Sequence, residues 1–585
     1  MQMMHVADKV RSSIEEGYMN VQSYTVAQGE KKWGTKATEA TVREMSGMVD
    51  VIDPIDPSKR KPTEVKKTMG MTTFVVEKRD GDIKVRSCAR GDQQRPYFDK
   101  EDSSSPTVST AATMITSVID AAEDRDVATI DVPQAFLQTD LPETDKDGDR
   151  YLVRLSGRAA EVLIDIKPEK YAKYAVKEKG KTVIYGHLKK AIYGMLQASL
   201  MYYIKFKTDM EAYGFTLNPV DPCVANKKVN GTNLTVCWHV DDLKASHKSS
   251  RVIDKFILWL ELKYGKKGKV KRTRGKVHPY LGMILDFSQK GVVKIDMRDY
   301  VKKLHKKFGE EFPDDMKGAL PKTVAAEDLF TVDESSKLLS KDKQQAFHTN
   351  VASALFVSKR ARPDIDLAVS FLSTRVAAST EQDWDKLVRM IKFLKATEDQ
   401  VLVLGTDGSG KVYWYVDASF AVHPDMRSHS GSVMTMGKGA ITSSSKKQKV
   451  NTRSSTEAEL VAVDDMIGDV TWAKMFFEGQ GYQVDIILFQ DNQSAIKLEE
   501  NGRFSAGKRS RHLAIRYFFI TDQVKQGNVT IKYCPTADMI ADYNTKPTQG
   551  SLNRKLRNQL MNNTVYLALL PNKTTTREAK TPMKQ

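Results

Sequence analysis

The stretch Trp238-His239-Val240-Asp241-Asp242-Leu243 places two adjacent carboxylates at the end of an apolar run. A third carboxylate, Asp131, closes the apolar run at residues 127–130, much earlier in the chain. Two buried strands that each end in Asp are what an α/β domain needs to bring distant carboxylates together. Three such groups repel one another unless divalent cations lie between them, so the pattern indicates a two-metal phosphoryl-transfer site. The alternative is that each Asp merely occupies a turn.

The composition is that of a folded, multidomain protein with a basic surface. The chain has 585 residues, of which 40% are hydrophobic and 28% are charged, so we expect several domains. Lys and Arg number 91 against 74 Asp and Glu, and the formal net charge of +17 has the sign expected of a protein that binds a phosphate backbone. The basic run at residues 263–276 is either a solvated loop or a direct nucleic-acid contact.

The cysteine content and the apolar runs indicate the cellular compartment of the protein. The four cysteines are too scattered to draw a zinc cluster or a disulfide framework. Residues 1–11 lack the apolar core of a signal peptide, and the apolar run at 256–262 is too short to span a membrane. The sequence therefore predicts an intracellular protein in a reducing compartment, with no membrane partner.

Periodicity and turn residues divide the chain into segments. Residues 1–70, rich in charge and proline, predict a loosely structured N-terminal lead-in. Strand-like runs at 73–78 and 83–86 flank Asp80-Gly81-Asp82 and predict a hairpin. The later segments are a largely helical region at 301–404, a linker at 405–410, an α/β domain at 411–548 and a polar, disordered tail at 549–585.

Four sequence blocks follow one another in a specific order. They are Asp131-Val132-Pro133-Gln134-Ala135-Phe136-Leu137, Lys189-Lys190-Ala191-Ile192-Tyr193-Gly194-Met195-Leu196-Gln197-Ala198, Val240-Asp241-Asp242 and Tyr280-Leu281-Gly282-Met283. In this order they resemble the reverse transcriptases of copia-type (Pseudoviridae) LTR retrotransposons, and the resemblance covers about residues 70–548. It implies an α/β and α+β multidomain fold, with a right-hand polymerase whose fingers and palm occupy 71–300 and whose thumb or connection occupies 301–404. An RNase H-like α/β domain would follow.

The resemblance also assigns the first set of carboxylates. Asp131, Asp241 and Asp242 would hold two Mg²⁺ ions, for which Mn²⁺ can substitute. The ions would activate the primer 3′-hydroxyl and neutralise charge on the departing pyrophosphate. The chain departs from the family at His239, where a Tyr is usual, and at residues 196–200, where the family has a run similar to Lys-Gln-Ala-Pro-Arg. These departures change residues near the template and the nucleotide and leave the metal ligands in place.

Four further residues match positions that contact the nucleotide or the template in this family. Lys84 and Arg86 would clamp the incoming triphosphate, and their alternative is a solvent-facing strand. Phe136 would abut the sugar 2′ position and exclude ribonucleotides, whereas an aromatic residue after a strand is more often part of the core. Gln197 resembles the glutamine of the templating pocket.

A second set of carboxylates follows the linker. Asp417, Glu459, Asp491 and Asp542 occur in this order, within blocks such as Ser454-Ser455-Thr456-Glu457-Ala458-Glu459 and Ala541-Asp542-Tyr543-Asn544-Thr545-Lys546. They resemble the ribonuclease H domain of the same elements, which implies a second site with two Mg²⁺ ions that hydrolyses a phosphodiester. Glu459 has an alternative role in a helix capping box that starts at Thr456, and Glu457 is the fallback ligand.

A basic segment between Asp491 and Asp542 resembles a block of the same family domain. Contact with a duplex through phosphates and sugar 2′-hydroxyls is the functional interpretation, and helix core is the alternative for its apolar residues. The residues assigned to nucleic-acid binding are Lys508, Arg509, Arg511, His512 and Arg516.

Together these features predict a reverse transcriptase with ribonuclease H activity. Its partners would be an RNA template, a DNA or tRNA primer, the RNA–DNA hybrid and dNTPs. The chain shows no protease or integrase signature, so we expect the C-terminal part of a polyprotein, or a truncated or separately expressed remnant. We expect it in the cytoplasm, in virus-like particles, with entry into the nucleus. The alternative from another class is a decayed or domesticated retroelement product that binds nucleic acid without catalysis.

Overall fold

The computed structural model describes residues 23–77, 81–99, 101, 103–501 and 514–562. The chain forms two compact units. The first unit comprises the residues up to Ala112 together with Arg125–Leu281, and the second comprises Thr113–Asp124 together with the residues from Gly282 onward. Both units combine helices with sheets, as the predicted multidomain α/β and α+β class requires.

The first unit contains two sheets. The strands are β1 (Tyr24–Thr25), β2 (Ile52–Pro54), β3 (Met69–Glu77), β4 (Ile83–Ala89), β5 (Asp126–Asp131), β6 (Leu152–Ser156), β7 (Val176–Glu178), β8 (Lys181–Leu188), β9 (Thr216–Leu217), β10 (Val224–Val229), β11 (Thr232–His239), β12 (Asp242–His247), β13 (Lys271–Thr273) and β14 (Val277–Tyr280). One sheet has the order β1-β3-β6-β8-β2, with β4 paired to β3 and β7 paired to β8. The other has the order β13-β5-β12-β11-β10-β9.

Several of the helices between residues 26 and 264 have buried apolar faces. The helices are α1 (Val26–Trp33), α2 (Thr35–Met48), α3 (Pro62–Lys66), α4 (Thr110–Ala122, most of which belongs to the second unit), α5 (Arg158–Ile166), α6 (Pro168–Tyr171), α7 (Ala198–Ala212) and α8 (Ser250–Tyr264). In α8, Ile253, Phe256 and Leu260 recur at helical spacing and are fully buried. Trp238 on β11 is also buried, and its ring lies 5.4 Å from that of Phe206 on α7.

The second unit contains two further sheets. Its strands are β15 (Met283–Asp286), β16 (Val292–Asp296), β17 (Leu402–Thr406), β18 (Lys411–Ser419), β19 (His429–Thr435), β20 (Gly437–Lys438), β21 (Thr442–Lys447), β22 (Asp485–Gln490) and β23 (Thr530–Tyr533). Strands β15, β16, β17 and β20 form one sheet, and the other has the order β21-β19-β18-β22-β23. In the latter, β18 pairs with β19 antiparallel and with β22 parallel, so it is a mixed sheet with a helical crossover.

The helices of the second unit include the long crossover between β21 and β22. They are α9 (Arg298–Glu311), α10 (Lys341–Ser358), α11 (Asp366–Arg375), α12 (Glu381–Ala396), α13 (Ser455–Gly479), α14 (Gln493–Asn501), α15 (Ala514–Lys525) and α16 (Gly550–Met561). Helix α13 buries Leu460, Val463, Ile467 and Val470, as its sequence periodicity predicts. None of the helices in the described ranges is long and apolar enough to cross a membrane.

Two terminal segments differ from the sequence-based expectation. Within residues 23–70, α2 buries Ala37, Met45 and Met48, and β2 pairs with β8, so this part is not a loosely structured lead-in. Its small apolar residues have helical spacing, but the charged residues between them hide the pattern. At the other end, residues 550–561 form α16, which buries Leu556 and Leu560 instead of fraying. The remaining tail lies outside the described residues.

The predictions for the middle of the chain agree better with the structure. The predicted hairpin is confirmed by the antiparallel pairing of β3 with β4, although residues 78–80 of its turn lie outside the described residues. Residues 301–404 are largely helical, as predicted. In the predicted linker at 405–410, the first two residues belong to β17 and the rest form a turn, in which the backbone N–H of Ser409 donates to the Asp407 side chain at 2.9 Å. The domain boundaries drawn from the sequence remain predictions.

Candidate catalytic sites

The hairpin between β11 and β12 holds two of the predicted carboxylates at its tip. His239 pairs with Asp242, which leaves Val240 and Asp241 as the two turn residues. Val240 has φ of 57°, in the left-handed region that a two-residue hairpin turn requires and that a β-branched residue rarely adopts. The turn is therefore a strained feature located at the candidate site.

Strand β5 brings Asp131 next to this tip. Asp131 and Asp242 are directly opposite one another in the antiparallel pairing of β5 with β12. The backbone N–H of Val132 also donates to the carbonyl oxygen of Asp241 at 3.0 Å. The sheet register thus brings together the three carboxylates that the sequence predicts to act as one group.

The electrostatics of this group favour a bound cation. Burial, and then the nearby charge of Asp131, raises the pKa of Asp241. Asp242 has an exposed surface, yet the surrounding protein and the charges of Asp241 and Asp131 raise the pKa of its carboxyl to about 6. Like charges this close disfavour one another's ionisation, and a divalent cation would relieve that repulsion.

The predicted triphosphate clamp lies on the edge strand β4. Lys84 and Arg86 are exposed and, two residues apart, project from the same face of the strand. Glu44 on α2 accepts a hydrogen bond from the backbone N–H of Ser87 at 2.8 Å, which ties the helix to this strand. Burial raises the pKa of Glu44, whereas the backbone bond from Ser87 and the charges of Lys84 and Arg86 lower it. The sequence analysis missed Glu44, because it lies in the segment predicted to be unstructured.

The two residues predicted to contact the sugar and the templating base are at least partly buried. Phe136 is buried, with 9% of its surface exposed, and its ring centroid is 4.7 Å from that of Tyr193 and 6.3 Å from that of Tyr202. Gln197 immediately precedes α7, and its Oε1 is buried with no hydrogen-bond partner in the described part of the chain. Phe136 is thus packed in the core, and its role in excluding ribonucleotides remains a prediction.

Part of the basic run at 263–276 is ordered next to the carboxylates. Strand β13 pairs with β5, so Lys271 lies opposite Asp131. A cavity of about 1010 Å³ opens between α2, β4 and β13. Its basic lining residues are Lys36, Arg43, Lys84, Lys269, Lys271 and Arg272. This clustering of cations favours contact with phosphates over the alternative of a purely solvated loop.

The second carboxylate set converges in the second unit. Asp417 lies on the central strand β18, Glu459 on α13 and Asp491 directly after β22. One ligand oxygen from each of these residues lies within 4.8 Å of the other two. Among the described residues this is the one group that converges so closely, and Asp131, Asp241 and Asp242 are not gathered to the same degree.

The helix cap and the converging carboxylates involve different glutamates on α13. The N-cap is Ser454, whose Oγ accepts from the backbone N–H of Glu457 at 3.2 Å, and Glu457 in turn accepts from the backbone N–H of Arg453 at 2.7 Å. The helix N-cap is thus Ser454 and not Thr456. Glu459 takes no part in it, and its Oε2 is buried with no hydrogen-bond partner among the described residues.

The Glu459 carboxyl, whose Oε2 has no partner among the described residues, tests whether the site suits a divalent cation. Burial raises its pKa well above the ordinary value, and the charges of Asp417 and Asp491 add to the shift. Burial and the charge of Asp417 likewise raise the pKa of Asp491. Three converging carboxylate oxygens, one with no other partner, form the hard-ligand donor set that Mg²⁺ or Mn²⁺ prefers.

The fourth predicted carboxylate, Asp542, has a different partner. Lys546 Nζ lies 2.6 Å from its Oδ1 and 3.3 Å from Oδ1 of Asp417. The Thr545 hydroxyl donates to the other oxygen of Asp417. Burial and the charge of Asp417 raise the pKa of Asp542 to about 7 in spite of this lysine. The sequence analysis did not identify Lys546. Its position four residues after Asp542 is the signal that could have identified it.

The predicted nucleic-acid-binding segment falls largely outside the described residues. Lys508, Arg509, Arg511 and His512 lie there. Arg516 is within α15, but its side chain is outside the described part as well.

One comparison with known proteins concerns the N-terminal half of the chain. Residues 52–321 match the family model described as reverse transcriptase (RNA-dependent DNA polymerase). This part of the chain is therefore similar to the reverse transcriptase family.

The curated relatives are Pol polyproteins of plant transposons. The chain is 27% identical over 488 residues to the retrovirus-related Pol polyprotein from transposon TNT 1-94 of Nicotiana tabacum, covering 80% of this chain and 34% of that protein. It is 26% identical to the corresponding polyproteins from transposons RE2 and RE1 of Arabidopsis thaliana, covering 79% of this chain and 29% of each. The chain is thus a homologue of plant copia-type Pol polyproteins, which confirms the resemblance, and it spans about a third of their length.

Solved structures of a viral enzyme are more distantly similar. A foamy viral protease-reverse transcriptase in complex with an RNA/DNA hybrid is 11% identical, with a TM-score of 0.42, over 80% of this chain and 51% of that chain. A prototype foamy virus protease-reverse transcriptase mutant is 12% identical, with a TM-score of 0.21, over 83% of this chain and 51% of that chain.

Proposed function

We propose that this chain is an RNA-directed DNA polymerase of a copia-type retroelement that copies RNA into DNA and hydrolyses the RNA strand of the resulting hybrid. The observation that carries the proposal is the register of β5 with β12, which sets Asp131 opposite Asp242 beside the Asp241 turn. The second carboxylate trio, in a separate sheet of the same chain, supports the hydrolytic activity. RNA–DNA hybrid is the substrate that the two chemistries share.

In the polymerase site, Asp131, Asp241 and Asp242 would hold two divalent cations. Mg²⁺ bound there would supply activation of the primer 3′-hydroxyl and neutralisation of charge on the leaving pyrophosphate. Lys84 and Arg86 would bind the triphosphate from the edge of β4, with Arg contributing bidentate geometry. These basic residues would orient the nucleotide toward the carboxylates.

Two residues would define which nucleotide and template are accepted. Phe136, held by its packing against Tyr193, would block a sugar 2′-hydroxyl because a buried ring cannot easily move aside. Gln197, whose Oε1 lacks a protein partner, would contact the templating base or its sugar.

In the hydrolytic site, Asp417, Glu459, Asp491 and Asp542 would hold the cations that the resemblance implies. Such cations would supply activation of a water molecule and stabilisation of the leaving 3′ oxygen. The protein's contribution is a buried set of oxygens whose mutual repulsion favours a cation. The duplex would be bound through its phosphates and 2′-hydroxyls by Lys508, Arg509, Arg511, His512 and Arg516.

The proposed function also implies nucleic-acid and nucleotide partners and a place in the cell. The RNA template, a DNA or tRNA primer and dNTPs would be bound by a surface with an excess of Lys and Arg. The protein would act within the cell, in the cytoplasm and in virus-like particles, with entry into the nucleus at a later stage.

Primer extension tests the polymerase activity. The parent protein should extend a DNA primer on poly-rA in the presence of Mg²⁺, and Asp241→Asn should lose the activity while still binding the duplex. For the second site, labelled RNA in a hybrid should be cleaved by the parent and spared by Asp491→Asn. Equal primer extension by parent and Asp241→Asn contradicts the first assignment, and equal cleavage by parent and Asp491→Asn contradicts the second.

A binding protein without catalysis is the second candidate. The departures at His239 and at residues 196–200 favour it, since they replace residues that the family uses near the nucleotide. In the structure, the second of these segments remains ordered, and the backbone N–H of Leu196 donates to the Gln94 side chain at 3.0 Å. Duplex binding without primer extension at any salt concentration would support this candidate.

A further inference from the structure

Lys546 separates the four carboxylates of the hydrolytic site into two groups. Asp417, Glu459 and Asp491 converge within 4.8 Å, whereas Asp542 lies outside that group and contacts the ammonium of Lys546 at 2.6 Å. The same ammonium is 3.3 Å from Asp417, so it bridges the two acids. Both of these carboxylates have almost no solvent exposure, while the lysine side chain is 39% exposed.

The backbone that carries Lys546 is held in place by several contacts. The backbone N–H of Lys546 donates to the carbonyl oxygen of Asp542 at 2.9 Å. The hydroxyl of Ser419 on β18 donates to the carbonyl oxygen of Thr545 at 2.9 Å. On β19, a side chain at Gly431 would come within 2.6 Å of Thr545 Cγ2, so this strand must approach the segment closely. Lys546 is thus presented to the site by a fixed segment, unlike a lysine on a mobile surface loop.

Charge balance gives this contact a consequence for metal binding. Buried carboxylates are costly unless a cation compensates them, and the ammonium supplies one positive charge with three donors. A divalent cation held by Asp417 and Asp542 would compete with that ammonium, because Oδ1 of each acid already contacts it. A cation held by Asp417, Glu459 and Asp491 would share only Asp417 with the ammonium, and Oε2 of Glu459 has no competing partner among the described residues.

We propose that Lys546 is an intramolecular counter-ion, so that the hydrolytic site binds one divalent cation tightly and a second one only in competition with the lysine. The proposal rests on the proposed hydrolytic function and sharpens it. Lys546 is a positioning residue in this scheme, because it acts through Asp417 and Asp542. The site would therefore respond to metal concentration in two steps, with the second step set by displacement of the ammonium.

Mn²⁺ binding to the full-length chain tests the proposal without any need for activity. The parent, Lys546→Met and Lys546→Arg are compared by isothermal titration calorimetry and by the electron paramagnetic resonance signal of free Mn²⁺. Lys546→Met removes the charge at similar side-chain length and should tighten the weaker binding step by about tenfold, whereas Lys546→Arg should resemble the parent. The polymerase carboxylates are the same in all three proteins, so the difference between the curves reports the second site.

Two controls make each outcome decisive. Lys546→Gln is a second uncharged variant, for use if Lys546→Met does not give the cooperative melting transition of the parent. Asp491→Asn should lose the tight step. Unchanged Mn²⁺ binding in the folded uncharged variant, with the tight step lost in Asp491→Asn, overturns the counter-ion proposal alone. Unchanged binding in Asp491→Asn shows instead that the carboxylate trio is not a metal site, which contradicts the proposed function itself.

Discussion

The Glu44 carboxylate accepts a hydrogen bond from the backbone N–H of Ser87 at 2.8 Å, at the edge of the strand that carries Lys84 and Arg86. In the described structure β4 pairs with β3 on one side only, so its other edge has no strand to fix it. Glu44 supplies a fixed acceptor there, and its charge lies near both basic side chains. The position of the proposed triphosphate clamp therefore depends on a residue that would not touch the nucleotide.

Replacing Glu44 should weaken nucleotide binding more than it slows the chemical step. Glu44→Ala removes an acceptor whose hydrogen bond to a backbone N–H is worth on the order of 1.5 kcal/mol, so KM for the dNTP should rise about tenfold while kcat changes by roughly twofold at most. Glu44→Gln keeps an acceptor oxygen and should restore most of the loss. Steady-state primer extension provides both constants. An equal fall of kcat in both variants, with KM unchanged, would contradict this role.

The strained turn at the polymerase site gives a prediction about stability and activity together. A β-branched residue at φ of 57° costs roughly 1–3 kcal/mol, so Val240→Gly should raise the free energy of unfolding of its unit by about 1 kcal/mol after the greater freedom of unfolded Gly is subtracted. Primer extension should nevertheless fall, because Gly fixes Asp241 and Asp242 less firmly. Denaturant unfolding and primer extension measure the two effects.

A matched control for this variant exists in the other unit. Ala421 also has a positive φ, of 50°, far from Asp241 in sequence. Ala421→Gly should relieve strain in the same way and leave primer extension at the parental rate. A loss of stability in Val240→Gly, or an equal loss of primer extension in Ala421→Gly, would show that turn strain is not the cause.

The sequence predicts the positions of carboxylates better than the roles of their neighbours. Asp131 and Asp242 end apolar strands, and a strand's end is visible in a local pattern of hydrophobic residues. Glu459 shares its local signal with a helix cap, and only the position of Ser454 relative to the first turn separates the two roles. Glu44 and Lys546 act through contacts made by folding, and nothing in the residues beside them indicates those contacts. A pattern that depends on distant pairing cannot be found in a single sequence.

The buried ion cluster that joins α16 to the turn before α11 should be important for the stability of the second unit. Asp364 is fully buried between Arg362, at 2.7 Å, and Arg557, at 2.9 Å. Arg557→Met should lower the free energy of unfolding by about 3 kcal/mol, because it removes one partner of a buried charge. Lys555→Met on the same helix, which breaks the exposed pair of Lys555 with Asp538, should cost less than about 1 kcal/mol. Equal shifts in melting temperature would contradict this difference.

The same cluster predicts how stability depends on pH. The two arginines lower the pKa of the Asp364 carboxyl to about 2 in the folded protein, below its ordinary value of 3.8. A depressed pKa contributes stability above the unfolded value and loses it as the pH falls toward the folded value, so this contribution should disappear between about pH 4 and pH 2. In Asp364→Asn that part of the acid-induced loss should be absent. Urea unfolding of both proteins across this range measures the difference, and parallel curves would exclude Asp364 as the cause.

The cations of α2 should contribute to nucleotide binding through long-range attraction. Lys36 and Arg43 line the same cavity as Lys84, and neither forms an ion pair with another residue in the described ranges. Arg43→Ala should raise KM for the dNTP by about three- to tenfold at low salt, and by less at 0.5 M salt, because the Debye length falls from about 10 Å at 0.1 M to a few ångströms. Lys31→Ala, on the neighbouring helix α1 and outside the cavity, removes the same charge and should change KM little. Equal effects of the two variants at low salt would assign the change to net charge and not to the cavity.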